Sequence, residues 1–202
     1  MAACALLHTA IVTERRGSLA SWTILLAIIG FALALLGTFL VRSGALTSVH
    51  AFAIDPARGT AVLVLFSIAV GVGLSLYAWR APRLMRPAGF AAVSRESFLV
   101  LHNLGLAIAA GTVLIGTLYP LLIEAMTGEL ISVGPPVFDI TFAPLMAALL
   151  LALPLAPLMA WRKGDLKAAL RLVWPAGLAA GAAFGFGLLA VGGGFWVGLG
   201  LA

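Results

Sequence analysis

Five apolar runs, each close in length to a membrane-spanning helix, dominate this sequence. They lie at about Leu19 to Val41, Thr60 to Trp79, Phe98 to Ile123, Ile140 to Trp161 and Leu172 to Val191. A helix needs about 20 consecutive apolar residues to cross the roughly 30 Å hydrocarbon core of a bilayer, and each run supplies them. The pattern predicts an all-α fold, a polytopic integral membrane helix bundle with about five full transmembrane helices.

Partial helices are predicted at both ends of the chain. The apolar stretch from Met1 to Val12 forms only about 20 Å of helix, which is too short to span a bilayer. Positive charges follow this stretch, at Arg15 and Arg16, whereas a signal peptide carries them in front. At the other end, the glycines at 192–194 predict a break, and the residues at 195–202 predict the opening of another helix. We therefore interpret residues 1–202 as a single transmembrane bundle that is a central fragment or a natural split subunit of a longer protein.

The basic residues indicate how the helices are oriented rather than an affinity for nucleic acid. The sequence is 63% hydrophobic and 9% charged, against about 25% charged residues in soluble domains. Its net charge of +5 arises mainly from three clusters, at 14–17, 80–97 and 162–171, which hold ten of the twelve Lys and Arg residues. Cytoplasmic loops carry such an excess of Lys and Arg. The loops at 42–59 and 124–139 are therefore predicted to be periplasmic, and no nucleic-acid partner is expected.

A single cysteine limits the thiol chemistry that the sequence can support. Cys4 is the only one, so the chain can form no internal disulfide, no CxxC redox or zinc site and no CxxCH haem-attachment motif. The chain is therefore not itself a c-type cytochrome.

Two histidines fall within apolar helical segments. His8 lies about two turns before the basic cluster at 14–17, where an ionisable group is costly unless it is paired or ligated. A neutral imidazole nitrogen is a common axial ligand of haem iron, and a hydrogen bond to a neighbouring helix is the structural alternative, so both roles stay open. For His102 and Asn103, near the cytoplasmic start of the third run, the residues favour an interfacial pair that hydrogen-bonds across helices.

The polar segment at 42–59 brings together several chemically active side chains between two apolar runs. It contains His50, Arg42, Arg58 and Asp55. The two arginines are suited to binding carboxylates through their forked guanidinium groups, although snorkelling to the interface is the alternative. Since an imidazole in a solvated loop pays no cost of burial, physical reasoning alone favours a free loop histidine at position 50.

Several motifs, in one order and spacing, resemble those of the cytochrome c maturation protein F family, the haem lyase of bacterial system I. They are Leu-Gly-Thr-Phe-Leu-Val-Arg-Ser-Gly at 36–44, Leu-Thr-Ser-Val-His-Ala-Phe-Ala at 46–53, Asp-Pro-Ala-Arg-Gly at 55–59, the segment at 7–17 around His8 and Thr-Glu-Arg-Arg-Gly, Ser-Arg-Glu-Ser at 94–97, Gly-Thr-Leu-Tyr-Pro at 116–120 and Ile-Ser-Val-Gly-Pro-Pro-Val-Phe at 131–138. The resemblance covers roughly residues 5 to 165.

The resemblance implies roles for two of the histidines. In this family, the histidine at the position of His8 is one of two membrane ligands of a resident b-type haem. The histidine at the position of His50 is one of two external ligands to the haem being delivered, and Arg42 and Arg58 are then available to contact the haem propionates. The partner of each histidine lies outside this chain, so the chain alone is expected to be inactive. His102 stands where relatives usually carry asparagine, so no ligand role is transferred to it.

The implied activity is that of a haem lyase in the bacterial inner membrane. Haem is held on the periplasmic face while its vinyl groups add to the CxxCH thiols of an apocytochrome. The implied partners are a periplasmic haem chaperone (CcmE-like), the apocytochrome c with its chaperones (CcmH/CcmI-like), the remainder of the haem lyase and membrane lipid. The resemblance assigns no catalytic residue in this chain.

A transporter or permease-type bundle is the alternative function. An intramembrane histidine such as His8 would then serve a proton or substrate pathway. Inverted-repeat transporters show internal symmetry, and the sequence contains no repeat of that kind.

Overall fold

The structure, a computed structural model, describes residues 1–43, 55–84 and 89–190, and these ranges are helical with short connections and no β-strand. The helices are α1 (Ala2–Arg16), α2 (Ala20–Ser43), α3 (Pro56–Leu84), α4 (Arg95–Thr127), α5 (Pro135–Ala152), α6 (Leu155–Leu158) and α7 (Leu166–Ala190). The predicted all-α fold is confirmed. The glycine break at 192–194 and the helix predicted at 195–202 lie outside the described residues.

Five of the helical segments are long and apolar enough to cross a membrane, as the sequence predicted. They are Ala20–Ser43, Ala57–Leu84, Arg95–Thr127, Pro135–Leu158 and Leu166–Gly187. Very little of each span is buried against the rest of the chain, at most 11% of its most apolar window. Few side chains of the spans are therefore fully buried within the chain.

The helices extend beyond the apolar runs because capping, rather than hydropathy, determines where a helix ends. Gly17 follows α1 with a φ of 66° and donates its N–H to the carbonyl of Thr13, and Gly128 follows α4 with a φ of 75°. Both are left-handed positions of the kind that terminates helices, and glycine adopts them without strain. The second predicted outer loop, 124–139, consequently includes the end of α4 and the start of α5.

The fourth apolar run is not one continuous helix. The sequence pattern predicted a span from Ile140 to Trp161, whereas α5 starts at Pro135 and ends at Ala152, before the short helix α6. Pro154 lies at the interruption and is the N-cap of α6. Proline lacks the N–H that a continuing helix needs and clashes with the preceding turn. Hydropathy does not record this break, because leucines flank it on both sides.

The described residues divide into two compact units, of which the first comprises Met1–Gly89 and Leu99–Leu151. Its core contains one buried residue from each of α1, α2, α4 and α5, namely Ala5, Leu26, Leu106 and Leu149. The hydroxyls of Thr13 and Thr23 lie 2.9 Å apart and join α1 to α2, and those of Ser21 and Tyr77, 2.8 Å apart, join α2 to α3. Polar contacts therefore supplement a small apolar core, as is usual between membrane helices.

Within the described residues, the second unit comprises Phe90–Phe98 and the segment 152–190, and a network of polar contacts holds these two segments together. The carboxylate of Glu96, which is 0% exposed, accepts the backbone N–H of Arg162 at 3.1 and 2.9 Å. The guanidinium of Arg95 donates to the carbonyls of Met159 and Pro157 and lies 5.1 Å from the ring centroid of Trp161. Arg95 and Glu96 of the Ser-Arg-Glu-Ser motif therefore connect the start of α4 to the segment between α6 and α7.

Replacing Glu96 by alanine is expected to lower the stability of this unit by about 1–3 kcal/mol, because the backbone N–H of Arg162 loses its charged acceptor. Glu96→Gln keeps one acceptor oxygen and is expected to cost less. Thermal unfolding of the purified protein in detergent measures both effects, with Glu129→Ala as the control at an exposed glutamate. A melting temperature of Glu96→Ala equal to that of the control would contradict the role given to this carboxylate.

The sidedness of the loops is testable by cysteine labelling. Cys4 is exposed, so the experiment needs a Cys4→Ser background. In that background, Ala92→Cys and Leu130→Cys, which are exposed positions before and after α4, are expected to be cytoplasmic and periplasmic respectively, because the basic clusters favour that orientation. An impermeant maleimide should label only Leu130→Cys in intact cells and both after lysis. Equal labelling of both positions in intact cells would contradict the predicted topology.

Candidate functional site

The structure brings His8 of α1 against His102 of α4 within the first unit. The centroids of the two imidazole rings lie 5.4 Å apart, with an angle of 61° between the ring planes, so that the edge of one ring faces the other. Both side chains are partly buried. Ala5 lies one turn from His8 and Leu106 one turn from His102, and these two residues belong to the same core cluster. The histidine pair therefore forms the next layer of the packing between α1 and α4.

The polar atoms around this pair are unequally satisfied. Thr9 is fully buried, and its hydroxyl donates to the carbonyls of Ala5 and Leu6, at 3.2 and 2.9 Å. In contrast, Nδ1 of His8 and both amide atoms of Asn103 are buried and have no hydrogen-bond partner among the described residues. A buried polar group without a partner costs about 1–3 kcal/mol. The imidazole of His8 and the amide of Asn103 can therefore still form hydrogen bonds with another group.

His8 fits the role of an axial ligand to haem. One of its nitrogens is buried without a partner, and its helix packs against the core of the first unit. No group of three or more His, Cys, Asp or Glu residues that could hold a bare metal ion occurs in the ranges that the structure describes. Haem needs fewer protein ligands, because the macrocycle itself supplies the equatorial nitrogens and the protein supplies only the axial positions. The described surroundings of His8 are thus compatible with the predicted axial haem ligand.

The ends of the polar segment at 42–59 lie close together. The backbone N–H of Asp55 donates to the carbonyl of Arg42 at 3.2 Å. A side chain at Gly59 would lie only 3.2 Å from the Cα of Ser43, so glycine permits the close approach of α2 and α3. His50 itself lies outside the described residues, so its predicted role stays a prediction.

Arg58 and Asp55 form an exposed ion pair next to this junction. The guanidinium Nε of Arg58 lies 3.2 Å from Oδ2 of Asp55, and the Arg58 side chain is 74% exposed. Asp55 also accepts the backbone N–H of Arg58 at 3.1 Å. Exposed pairs of this kind contribute only about 0–1 kcal/mol. The guanidinium of Arg58 is therefore available to another carboxylate, whereas for Arg42 the structure gives only the contact through its backbone carbonyl.

Sequence reasoning missed a cavity of about 440 Å³ between the C-terminal half of α4 and the start of α5. Gly116, Tyr119, Val133, Val137 and Phe138 are among its lining residues. A Cβ at Gly116 would lie 2.8 Å from the ring of Phe138, so this glycine allows the aromatic ring to pack against α4. The motifs at 116–120 and 131–138 were recognisable in the sequence. That both motifs line one cavity could not be predicted, because it depends on how α4 and α5 pack.

The structure also changes the interpretation of His102 and Asn103. The sequence favoured a hydrogen-bonded interfacial pair, but the Asn103 amide has no partner among the described residues, and His102 instead contacts His8. Both residues were visible as polar positions in an apolar run. The contact with His8 joins helices that are distant in sequence, and hydropathy carries no information about which helix faces meet.

Comparison with known proteins gives a consistent set of similarities. No family model matches the chain. The chain is 53% identical over 176 residues to the cytochrome c-type biogenesis protein CycK of Rhizobium meliloti, covering 87% of this chain and 26% of that protein. It is 55% identical over 158 residues to the cytochrome c-type biogenesis protein CcmF of Pseudomonas aeruginosa, covering 78% of this chain and 24% of that protein.

Structural comparison agrees with these sequence similarities. A solved structure of the cytochrome c haem lyase CcmF superposes with a TM-score of 0.67 and 32% sequence identity, covering 99% of this chain and 29% of that one. The chain thus spans about a quarter of the length of the curated relatives that it matches.

Proposed function

This chain belongs to the CcmF family of cytochrome c-type biogenesis proteins, and we propose that it forms part of the membrane haem lyase that attaches haem to apocytochrome c. The observation that carries the proposal within this chain is the imidazole of His8 in an apolar helical segment. Its Nδ1 is buried without a hydrogen-bond partner among the described residues, and its other nitrogen, Nε2, would bind the iron. A solved structure that is similar to this chain is that of a cytochrome c haem lyase, and an imidazole in an apolar segment is costly unless it is paired or ligated, which supports a haem-ligand role for His8.

His8 would bind a resident b-type haem from within the membrane. When bound, the haem would supply one-electron chemistry, as a route for electrons to the iron of the delivered haem. The imidazole contributes one axial nitrogen, and α1 fixes its depth in the membrane. Packing of α1 against α2, α4 and α5 around Ala5 keeps water from that side of His8.

The outer segment would hold the haem that is delivered as substrate. His50 is proposed to ligate its iron, and Arg42 and Arg58 to pair with its propionates, for which the exposed guanidinium of Arg58 is suited. Each thioether forms when a CxxCH thiol adds across a haem vinyl group. The sulfur bonds to one vinyl carbon, the thiol proton passes to the other, and no net oxidation occurs. The task of the protein is therefore to orient the haem and the apocytochrome.

The proposed setting is the bacterial inner membrane, with the segments at 42–59 and 124–139 on the periplasmic side. The proposed partners are a periplasmic haem chaperone, the apocytochrome with its chaperones, and the parts of the haem lyase that supply the second histidine of each pair. The ten basic residues in the opposite loops support this orientation.

A chimaera tests the proposed function. The 158 aligned residues of the Pseudomonas aeruginosa relative are replaced by those of this chain, in a strain that lacks its own copy of that protein. We expect the chimaera to restore mature c-type cytochromes, detected by haem staining after denaturing electrophoresis. A chimaera carrying His50→Ala is the matched control. An inserted chimaera that shows no haem absorption and no maturation would contradict the proposal and favour the permease alternative.

A further inference from the structure

We propose that His102 is the positioning residue for His8: in the haem-loaded protein it accepts a hydrogen bond from Nδ1–H of His8 and so fixes the plane of the ligating imidazole. This inference rests on the proposed function, since it assumes that His8 binds haem. It gives a role to a residue that the family resemblance left without one.

The rings of His8 and His102 are in contact in the structure. The two imidazoles already meet edge to face, with centroids 5.4 Å apart. Nδ1 of His8 is buried and has no partner among the described residues. The last side-chain torsion of histidine is broad and has no steep wells. Rotation about this torsion in the two rings is the motion by which we infer that this contact becomes a hydrogen bond.

Iron ligation determines which nitrogen of His8 carries the proton. A histidine that binds iron through Nε2 keeps its proton on Nδ1, which makes that nitrogen a donor. Histidines that ligate metals almost always donate this second N–H to an acceptor, which fixes the tautomer and the ring orientation. A neutral imidazole offers one acceptor nitrogen. His102 is the described side chain with such a nitrogen that is in ring contact with His8.

The hydrogen bond has a predictable effect on the haem. An acceptor on Nδ1–H makes the ligating nitrogen more basic, which stabilises the ferric over the ferrous iron. Loss of His102 should therefore raise the midpoint potential of the b haem. It should also weaken haem binding by about 10- to 100-fold, the range typical for removing a partner of this kind.

The experiment uses full-length chimaeric protein purified in detergent. His102→Leu removes the acceptor, and His102→Asn retains one in its amide oxygen. Leu104→Ala is the control, because Leu104 is an exposed residue two positions further along α4. The readouts are haem content per protein and the midpoint potential from a spectroscopic redox titration, neither of which needs lyase activity. If His102→Leu does not accumulate in the membrane, His102→Ala carries the same test.

The expected result is a raised potential and lower haem content in His102→Leu, with values close to wild type in His102→Asn and Leu104→Ala. A potential in His102→Leu equal to that of the Leu104→Ala control would overturn the inference. A change in midpoint potential that occurs in Asn103→Leu and not in His102→Leu would also overturn the inference, because it would assign the positioning role to the amide of Asn103. His8→Ala, measured in parallel, separates the two hypotheses: if it keeps its b haem, the proposed haem site itself fails, whatever His102 does.

Discussion

Replacing His8 by alanine in the full-length chimaera is expected to abolish the b-haem absorption while the protein remains inserted in the membrane. The imidazole is one of the axial ligands in the proposed site, and an alanine at this position offers the iron no lone pair. The measurement is the reduced-minus-oxidised spectrum of purified protein, together with the amount of haem extracted per mole of chain.

Leu7→Ala is the matched control for this variant. Leu7 precedes His8 on α1 and is 63% exposed, so its truncation should leave the haem signal at the wild-type level. A normal b-haem spectrum in His8→Ala, at wild-type protein levels, would remove His8 from the proposed haem site.

Replacing His50 by alanine is expected to stop cytochrome c maturation and to leave the resident b haem unchanged. The proposed role of His50 is to ligate the delivered haem outside the bilayer, whereas His8 lies within an apolar helical segment. The two variants should therefore affect separate haems. Mature cytochrome is scored by haem staining and b haem by absorption, with both variants in the same strain.

Ser48→Ala controls for general damage to the same outer segment, since it removes a hydroxyl and no iron ligand. Wild-type maturation in His50→Ala would make the segment at 42–59 a connector. In that case, the exposed guanidinium of Arg58 would be only an interfacial anchor.

The sequence predicted the class of fold because hydropathy alone decides whether a segment of this length crosses a bilayer. It predicted the helix ends less well, since Gly17, Gly128 and Pro154 act through backbone conformation and not through polarity. The buried carboxylate of Glu96 illustrates the same limit. A glutamate in a short basic loop is expected to be solvated, and only the fold shows that it accepts the N–H of Arg162.

The candidate site was predicted in part for a related reason. A histidine in an apolar helix is costly, so His8 could be singled out from the sequence alone. The identity of its neighbour depends on which faces of α1 and α4 pack together, and in this chain the faces that carry Ala5 and Leu106 meet in the buried core. Nothing in the sequence around His102 records this contact. His50 was assigned through the family motif, because a solvated histidine has no physical signature of its own.

The small buried fraction of each span has a consequence for how this chain denatures. Most backbone hydrogen bonds of the spans lie within their own helices, and few of their side chains are fully buried within the chain, so helix formation and helix association are largely separate steps. A harsh detergent such as sodium dodecyl sulfate should separate the helices while the α-helical circular dichroism persists. The contact between His8 and His102 depends on helix association, which is lost before the helices unfold. Secondary-structure content is therefore a poor guide to whether the proposed haem site is intact.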